Sequence, residues 1–199
     1  MQRIPPYTHI PMVLKIVRYP APVLRAQCRP VTEITPEICQ LAQDMIETMR
    51  DANGVGLAAP QVARDVQLAV IDVSHNPQCI SYLRVNGQDA DMLAHMPVIF
   101  LNPKLELGQQ KESDEEGCLS FPRLRGQIRR SAAVKVTFQK LDGSTETWET
   151  DGLLARAFQH EIDHLNGVLF IDRMSATAKV TLKSKLARLM REWEEDDAA

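Results

Sequence analysis

No segment of this chain carries an apolar run of the roughly 20 residues that a membrane-spanning helix needs. No Cys-x-x-Cys pair occurs among the four cysteines, Cys28, Cys39, Cys79 and Cys118. With no secretory leader to be read, scattered cysteines are expected to be reduced thiols, and the expected location is the cytoplasm. Positive charge is not in excess. The net charge of −3 advertises neither direct DNA binding nor attraction to a membrane surface. There is no internal repeat and no low-complexity segment. No Asp or Glu precedes Glu33, and a basic, acid-poor start is a mark of transit peptides. This start also lacks serine and carries Pro5, Pro6, Pro11, Pro20, Pro22 and Pro30. That many prolines exclude the amphipathic helix such peptides form. We therefore expect an irregular tail over 1–12 and folded chain from Val13.

What is present suits one soluble globular domain: 199 residues, 44% hydrophobic and 25% charged, enough for a single core. The chain divides into the tail 1–12, a catalytic domain 13–174, and a C-terminal helix with an acidic tail, 175–199.

The chemistry concentrates at Gln159-His160-Glu161-Ile162-Asp163-His164-Leu165. On a helix, histidines four apart share one face and can grip one metal ion, with the Glu between them in reach of a water on that ion. The alternative is two histidines that fall four apart by chance. Asp151 is a candidate N-cap for this helix and Asn166-Gly167 a candidate stop. Leu154, Phe158, Ile162 and Leu165 form one apolar stripe, and Leu153, Ala157, His160 and His164 a second. A helix apolar on two sides is expected to be buried.

Elsewhere, Val13–Val17 reads equally as a strand or an extended arm. Thr35-Pro36 opens a helix whose core stripe is Ile38, Leu41, Met45 and Met49, closed by Asn53-Gly54. Val66–Val73 reads as a strand. Ser74–Pro97 is expected to be a long loop with turns at Asn76-Pro77 and Asn86-Gly87. His75, Cys79 and His95 lie in it, more naturally surface residues than a second metal site. Val98–Leu101 is a strand ended by Asn102-Pro103. Ala133–Gln139 and Thr145–Thr150 alternate as a hairpin about Asp142-Gly143. Ser175 caps a last helix, with Leu182, Leu186, Leu189 and Trp193 on one stripe, basic residues around the rest, and a frayed acidic end at Glu192–Asp197.

Two further stretches stand out. Gly54-Val55-Gly56-Leu57-Ala58-Ala59-Pro60-Gln61 allows close backbone approach, or is simply a tight helix-to-strand connection. No Gly-Lys-Ser/Thr follows, so it is not a phosphate loop. Glu116-Gly117-Cys118-Leu119-Ser120 offers either a buried structural cysteine or a thiolate ligand, with Gly117 giving the backbone freedom to present it. The run Arg123, Arg125, Arg129, Arg130 reads as a solvated face, from which one arginine could hold Glu116.

In this order the three stretches resemble the three motifs of the peptide deformylase family, over about Val13 to Met174. The last helix resembles that of the bacterial members with a C-terminal extension. The resemblance implies an α+β fold, antiparallel sheets around a central buried metal-binding helix. It implies Cys118, His160 and His164 as ligands of one divalent ion, with a fourth position open to water. Fe²⁺ is implied in the cell, and Zn²⁺, Ni²⁺ or Co²⁺ is acceptable in the purified protein. Glu161 would act as general acid/base, with the Gln61 amide and the Leu119 backbone N–H stabilising the oxyanion. Substrate would be bound by Gly54, Val55, Gly56, Glu116, Gly117 and Arg125, and the methionine pocket lined by Leu153, Ala157 and the stem of Arg156. Arg130 would pair with Glu116. The implied reaction removes the N-formyl group from formyl-methionine on nascent polypeptides and releases formate. The ribosome is a second candidate partner, through the basic last helix, against a solvated helix packed on the domain. A monomer is expected. The rivals are a zinc endopeptidase of the HExxH type, whose third ligand usually lies downstream, and a metal-stabilised binding protein without turnover.

Overall fold

Thr35 and Pro36 begin the first helix, α1 (Pro36–Asp51). The Thr35 hydroxyl accepts from the Ile38 N–H at 3.4 Å, a cap typically worth about 1 kcal/mol. Met45 and Met49 are fully buried, while Ile38 and Leu41 sit at the margin of the same cluster. The helix stops through Asn53, which takes the left-handed conformation (φ 52°) usually left to glycine, and Gly54 N–H reaches the Met49 carbonyl at 2.8 Å. The computed structural model describes residues 10–198 except 77, 78 and 80. The expected tail over residues 1–9 and the Pro77 half of one expected turn thus lie outside the described residues.

Strands β1 (Gly56–Ala58), β2 (Leu68–Ile71), β3 (Leu83–Val85), β4 (Gln88–Asp89), β5 (Val98–Leu107), β6 (Lys111–Gly117), β7 (Arg125–Ser131), β8 (Ala133–Gln139) and β9 (Thr145–Asp151) follow. Seven form one sheet in the order β1-β2-β5-β8-β9-β3-β4, and β6 and β7 form a separate two-stranded hairpin. Each of these strand pairs is antiparallel. β2 is buried on both faces. Its Leu68 and Val70 pack towards α1, and its Ala69 and Ile71 join the cluster of the second helix, which is why its sequence is continuously apolar.

Two expectations are corrected here. Ser74–Pro97 is not loop throughout: it contains β3 and β4, joined by Asn86-Gly87 with both residues at positive φ, the geometry of a two-residue hairpin. Asn102-Pro103 does not end its strand. β5 continues to Leu107 across a bulge between Leu101 and Lys104, with Asn102 at φ 50°; a proline without an N–H and a left-handed asparagine fit a bulge. The arginine run is as expected: Arg123, Arg125 and Arg129 are exposed, while Arg130, on the inward side of strand β7 with Ile128, is the arginine that holds Glu116.

The second helix, α2 (Gly152–Leu165), lies under the large sheet. Leu154, Phe158, Ile162 and Leu165 are buried against Phe100, Val136, Phe138 and Trp148. Asp151 occupies the N-cap position but does not cap with its side chain; its carboxylate accepts from Tyr82 N–H instead. At the far end Gly167 has φ 70°, and a Cβ there would stand 2.5 Å from the Arg25 carbonyl oxygen. The third helix, α3 (Ala176–Ala198), is capped by Ser175, whose hydroxyl accepts from Ala178 N–H at 3.2 Å. It stays helical through the acidic residues expected to fray. Its Leu189 and Trp193 are buried against Phe121, Leu124 and Phe170.

Val13–Val17 belongs to an arm outside the sheets. Met12 N–H donates to Asp44 and Leu14 N–H to Thr48, two polar residues one turn apart on α1. Further on, Cys28 N–H donates to the Leu165 carbonyl at 2.9 Å. The N-terminal segment thus threads from α1 to the end of α2.

Candidate active site

α2 delivers His160 and His164 from successive turns, with ring centroids 5.0 Å apart. β6 ends at Gly117 and turns Cys118 toward them, leaving its Sγ 3.2 Å from His164 Nε2. One donor atom from each of Cys118, His160 and His164 lies within 4.8 Å of the others. His160 Nδ1 is taken by Glu116 Oε2 at 3.1 Å, which leaves Nε2 for the shared point, and a carboxylate behind a ligating imidazole fixes its orientation. A thiol and two imidazoles suit a divalent transition ion. Glu161 Oε2 is buried with no hydrogen-bond partner in the protein, an exposed cost that a neighbouring cation or water would relieve. The residues therefore fit such an ion. Among the described residues this is the one such group of donors, and His75, Cys79 and His95 form no second one.

The electrostatics follow from burial. Burial pushes the Glu161 carboxyl up to about 7, against the pull of His160 and Arg130. Burial would also raise Glu116, but hydrogen bonds from His160 and Arg130 outweigh it and hold the group at about 2. His160 without a metal is pushed up to about 10, because its bonds to Cys118 and Glu116 overcome the cost of burying its charge. Burial and the charge of His160 hold His164 well below the ordinary imidazole range. A bound ion takes the lone pair that the proton would otherwise occupy, so metal and proton compete at His160.

The glycine-rich stretch is β1 and the 3-10 turn Ala59–Val62. The close approach it permits is real. A Cβ on Gly56 would fall 2.2 Å from Glu161 Oε1, and one on Gly54 2.8 Å from Leu119 Cδ1. Gly117 differs: its added Cβ would stand 3.6 Å from its nearest neighbours, so backbone freedom is not what that position requires. Gln61 is buried. Its Oε1 accepts from Ala58 N–H at 2.8 Å, which turns Nε2 toward Cys118 Sγ at 3.5 Å and Ser120 Oγ at 3.3 Å.

All this opens into a groove of about 1040 Å³. Gly54, Val55, Gly56 and Gln61 border it on one side, and Glu116, Gly117, Cys118, Leu119 and Arg125 on another. Leu153, Arg156, Ala157, His160 and Glu161 line it from α2. His164 lies behind, almost wholly buried. The Arg156 head is drawn back to Glu116 Oε1 at 2.7 Å and the Ile128 carbonyl at 3.1 Å, while Arg125 pairs outward with Glu115.

Sequence reasoning missed Asp163 and Arg173. Arg130 bonds Glu116 through Nε (2.6 Å) and Nη2 (3.0 Å), and Asp163 through Nη1 (2.8 Å). Arg173 closes the other side of Asp163. The available signal was an acidic residue between two histidines on a helix otherwise facing the core: such a carboxylate needs a buried cation.

The comparisons with known proteins agree with this geometry. The family model described as polypeptide deformylase matches residues 13–180. The peptide deformylase of Methylacidiphilum infernorum is 46% identical over 180 residues, covering 90% of this chain and 94% of that protein. That of Opitutus terrae is 42% identical over 182 residues, covering 89% and 93%. The crystal structure of the Thermotoga maritima peptide deformylase superposes with a TM-score of 0.69 at 40% identity, over 82% of this chain and 98% of that one. A plant peptide deformylase gives 0.79 at 31% identity, over 97% of both chains. With the three motifs converging on one site and relatives similar along nearly their whole lengths, the chain belongs to the polypeptide deformylase family.

Proposed function

We infer that this protein is a metal-dependent hydrolase that removes the N-formyl group from formyl-methionine at the start of new polypeptides and releases formate. The observation that carries this reading is the meeting of Cys118, His160 and His164 with the Glu161 carboxylate and the Gln61 amide at one place in the groove. In this reading Cys118, His160 and His164 hold the ion. When bound, it supplies Lewis acidity and lowers the pKa of a water to about 7. Glu161 takes the proton as the water oxygen bonds to the formyl carbon, and delivers it to the nitrogen as the carbon–nitrogen bond breaks. Gln61 Nε2 and the Leu119 N–H donate to the formyl oxygen as charge develops on it. Glu116 orients His160. Gly54, Val55, Gly56, Gly117 and Arg125 border the peptide chain.

Leu153, Ala157 and the Arg156 stem would take the methionine side chain. Ala157→Phe is expected to raise KM for formyl-methionyl peptides about tenfold or more, since overpacking a fitted pocket costs about 1–3 kcal/mol. An unchanged KM in steady-state formate release would remove Ala157 from the pocket.

Among divalent ions we propose Fe²⁺ in the cell, loaded by availability against an affinity order that favours Zn²⁺. The test of the whole reading is metal content together with formate release on protein purified without oxygen. The zinc endopeptidase reading is disfavoured because the third donor is the upstream Cys118; a formyl peptide assayed beside an internally cleavable peptide separates the two. A closed structural site would need a fourth protein donor, and the group among the described residues has three.

We propose one catalytic domain over 13–174 with an appended helix, acting as a monomer in the cytoplasm. No helix among the described residues is long and apolar enough to cross a membrane, and all four cysteines are free. Leu182 and Leu186 of α3 pack on the domain, and Lys183 and Lys185 face outward, the side a ribosome would meet. Deleting residues after Arg173 is expected to abolish co-sedimentation with ribosomes, and unchanged co-sedimentation would end that part of the proposal.

A further inference from the structure

Two of the site's groups, Gln61 and Cys118, come from loops in distant parts of the chain. The turn after β1 carries Gln61, and the turn after β6 carries Cys118. Besides the long contacts from Gln61 Nε2 to Cys118 Sγ and Ser120 Oγ, a third segment touches both. Val17 N–H donates to the Gln61 carbonyl at 2.8 Å, and Tyr19 N–H donates to the Ser120 carbonyl at 3.0 Å. The alternating N–H groups of one short stretch thus end on the two loops.

The stretch is itself anchored. The Tyr19 ring stacks on Phe121 with centroids 5.0 Å apart and planes 22° from parallel. Phe121 N–H in turn donates to the Cys118 carbonyl at 2.9 Å. Arg18 Nη1 donates to the Trp193 carbonyl at 3.3 Å, which ties the same stretch to α3. Upstream, Met12 and Leu14 are held by α1.

We propose that Val17–Tyr19 is a positioning tie for the deformylation site, whose two backbone donors set the distance between the Gln61 amide and the Cys118 sulfur. The proposal rests on the deformylase reading. Neither Val17 nor Tyr19 lines the groove; in this proposal they act through Gln61 and Cys118. A hydrogen-bond donor that stabilises developing charge works only within a few tenths of an ångström of its place. A metal-ligating sulfur likewise depends on the groups that hold its loop.

The test removes single N–H groups from the whole chain. A synthetic 1–27 segment is joined at Cys28 to residues 28–199, with an amide-to-ester exchange at Val17, at Tyr19 or, as a control, at Met12. Each exchange deletes one backbone donor and no side chain. The Val17 ester is expected to lower kcat about tenfold at nearly constant KM, a part of the roughly hundredfold or more that follows deletion of such a donor. In a Gln61→Ala background the same ester should add nothing, because its effect passes through Gln61. The Tyr19 ester should release Co²⁺ to a chelator about tenfold faster than the all-amide protein. The Met12 ester should lower the melting temperature as much as the Val17 ester yet leave kcat and Co²⁺ release unchanged.

The proposal is overturned if the Val17 ester keeps full kcat, if its loss is undiminished on Gln61→Ala, or if the Met12 ester lowers kcat equally. If the all-amide protein releases no formate, the deformylase reading fails and this proposal with it. If it releases formate while the Val17 ester is indistinguishable from it, the tie alone fails.

Discussion

Glu161→Ala is expected to lower kcat for formate release about 1000-fold while leaving metal content unchanged, since a positioned general acid/base contributes about 10²–10⁴. The other titratable groups at the site are committed: His160 and His164 face the shared donor point, and Glu116 is engaged by two arginines and His160. Glu161 Oε2 is buried close to that point without a protein partner; His164 Nδ1 also lacks one, but its ring is committed through Nε2 beside Cys118. The loss should be specific to chemistry. Removing a buried carboxyl with one oxygen unpartnered relieves a desolvation cost, so the variant's melting temperature should not fall. Formate release within about tenfold of wild type would leave too little for a general acid/base to explain. A parallel loss of metal would instead make Glu161 a support for the donors.

The second large effect is on stability. Arg130→Ala is expected to destabilise the protein by about 3–5 kcal/mol, the usual consequence of removing one partner from a buried ion pair. Arg130 and Glu116 side chains are 4% and 5% exposed, so solvent does little to screen what remains. Both Glu116 and Asp163 would lose a cation. Arg156 and Arg173 still reach those carboxylates, which places the effect toward the lower end of that range. Activity should fall as well, because Glu116 would lose the bonds that hold it against His160 Nδ1. Urea denaturation measures the first effect and formate release the second. A variant as stable and active as wild type would show this network to be incidental.

The parts of the fold that were legible in the sequence are those in which one periodicity meets one burial pattern. α1, α2 and the β8–β9 hairpin have clean apolar stripes, and their capping or turn residues sit where expected. β6 was invisible for a physical reason: in Lys111–Gly117 only Glu116 is buried, so no apolar alternation exists to be read. β7 hid behind its arginines, because the residue it buries beside Ile128 is Arg130, neutralised by partners 14 and 33 positions away. β5 was cut short because Asn102-Pro103 is a turn signal by composition, whereas here it makes a bulge inside a strand. At the site, Cys118, His160, His164, Glu161 and Gln61 could be picked out because fixed motifs carry them. Asp163 could not be given a task, since its partners lie on β7 and beyond α2. The tie through Val17 and Tyr19 uses main-chain groups, which no side-chain pattern announces.

The large sheet ends at β4, which is only two residues long, and both Gln88 and Asp89 are exposed. A charged pair between Arg84 and Asp89 lies across that margin. A rim so short and so strongly hydrated offers an incoming chain almost no run of vacant main-chain donors and acceptors to copy. Fibril-like growth from this side is thereby discouraged, which matters for an enzyme that must work among unfinished, still unfolded polypeptides.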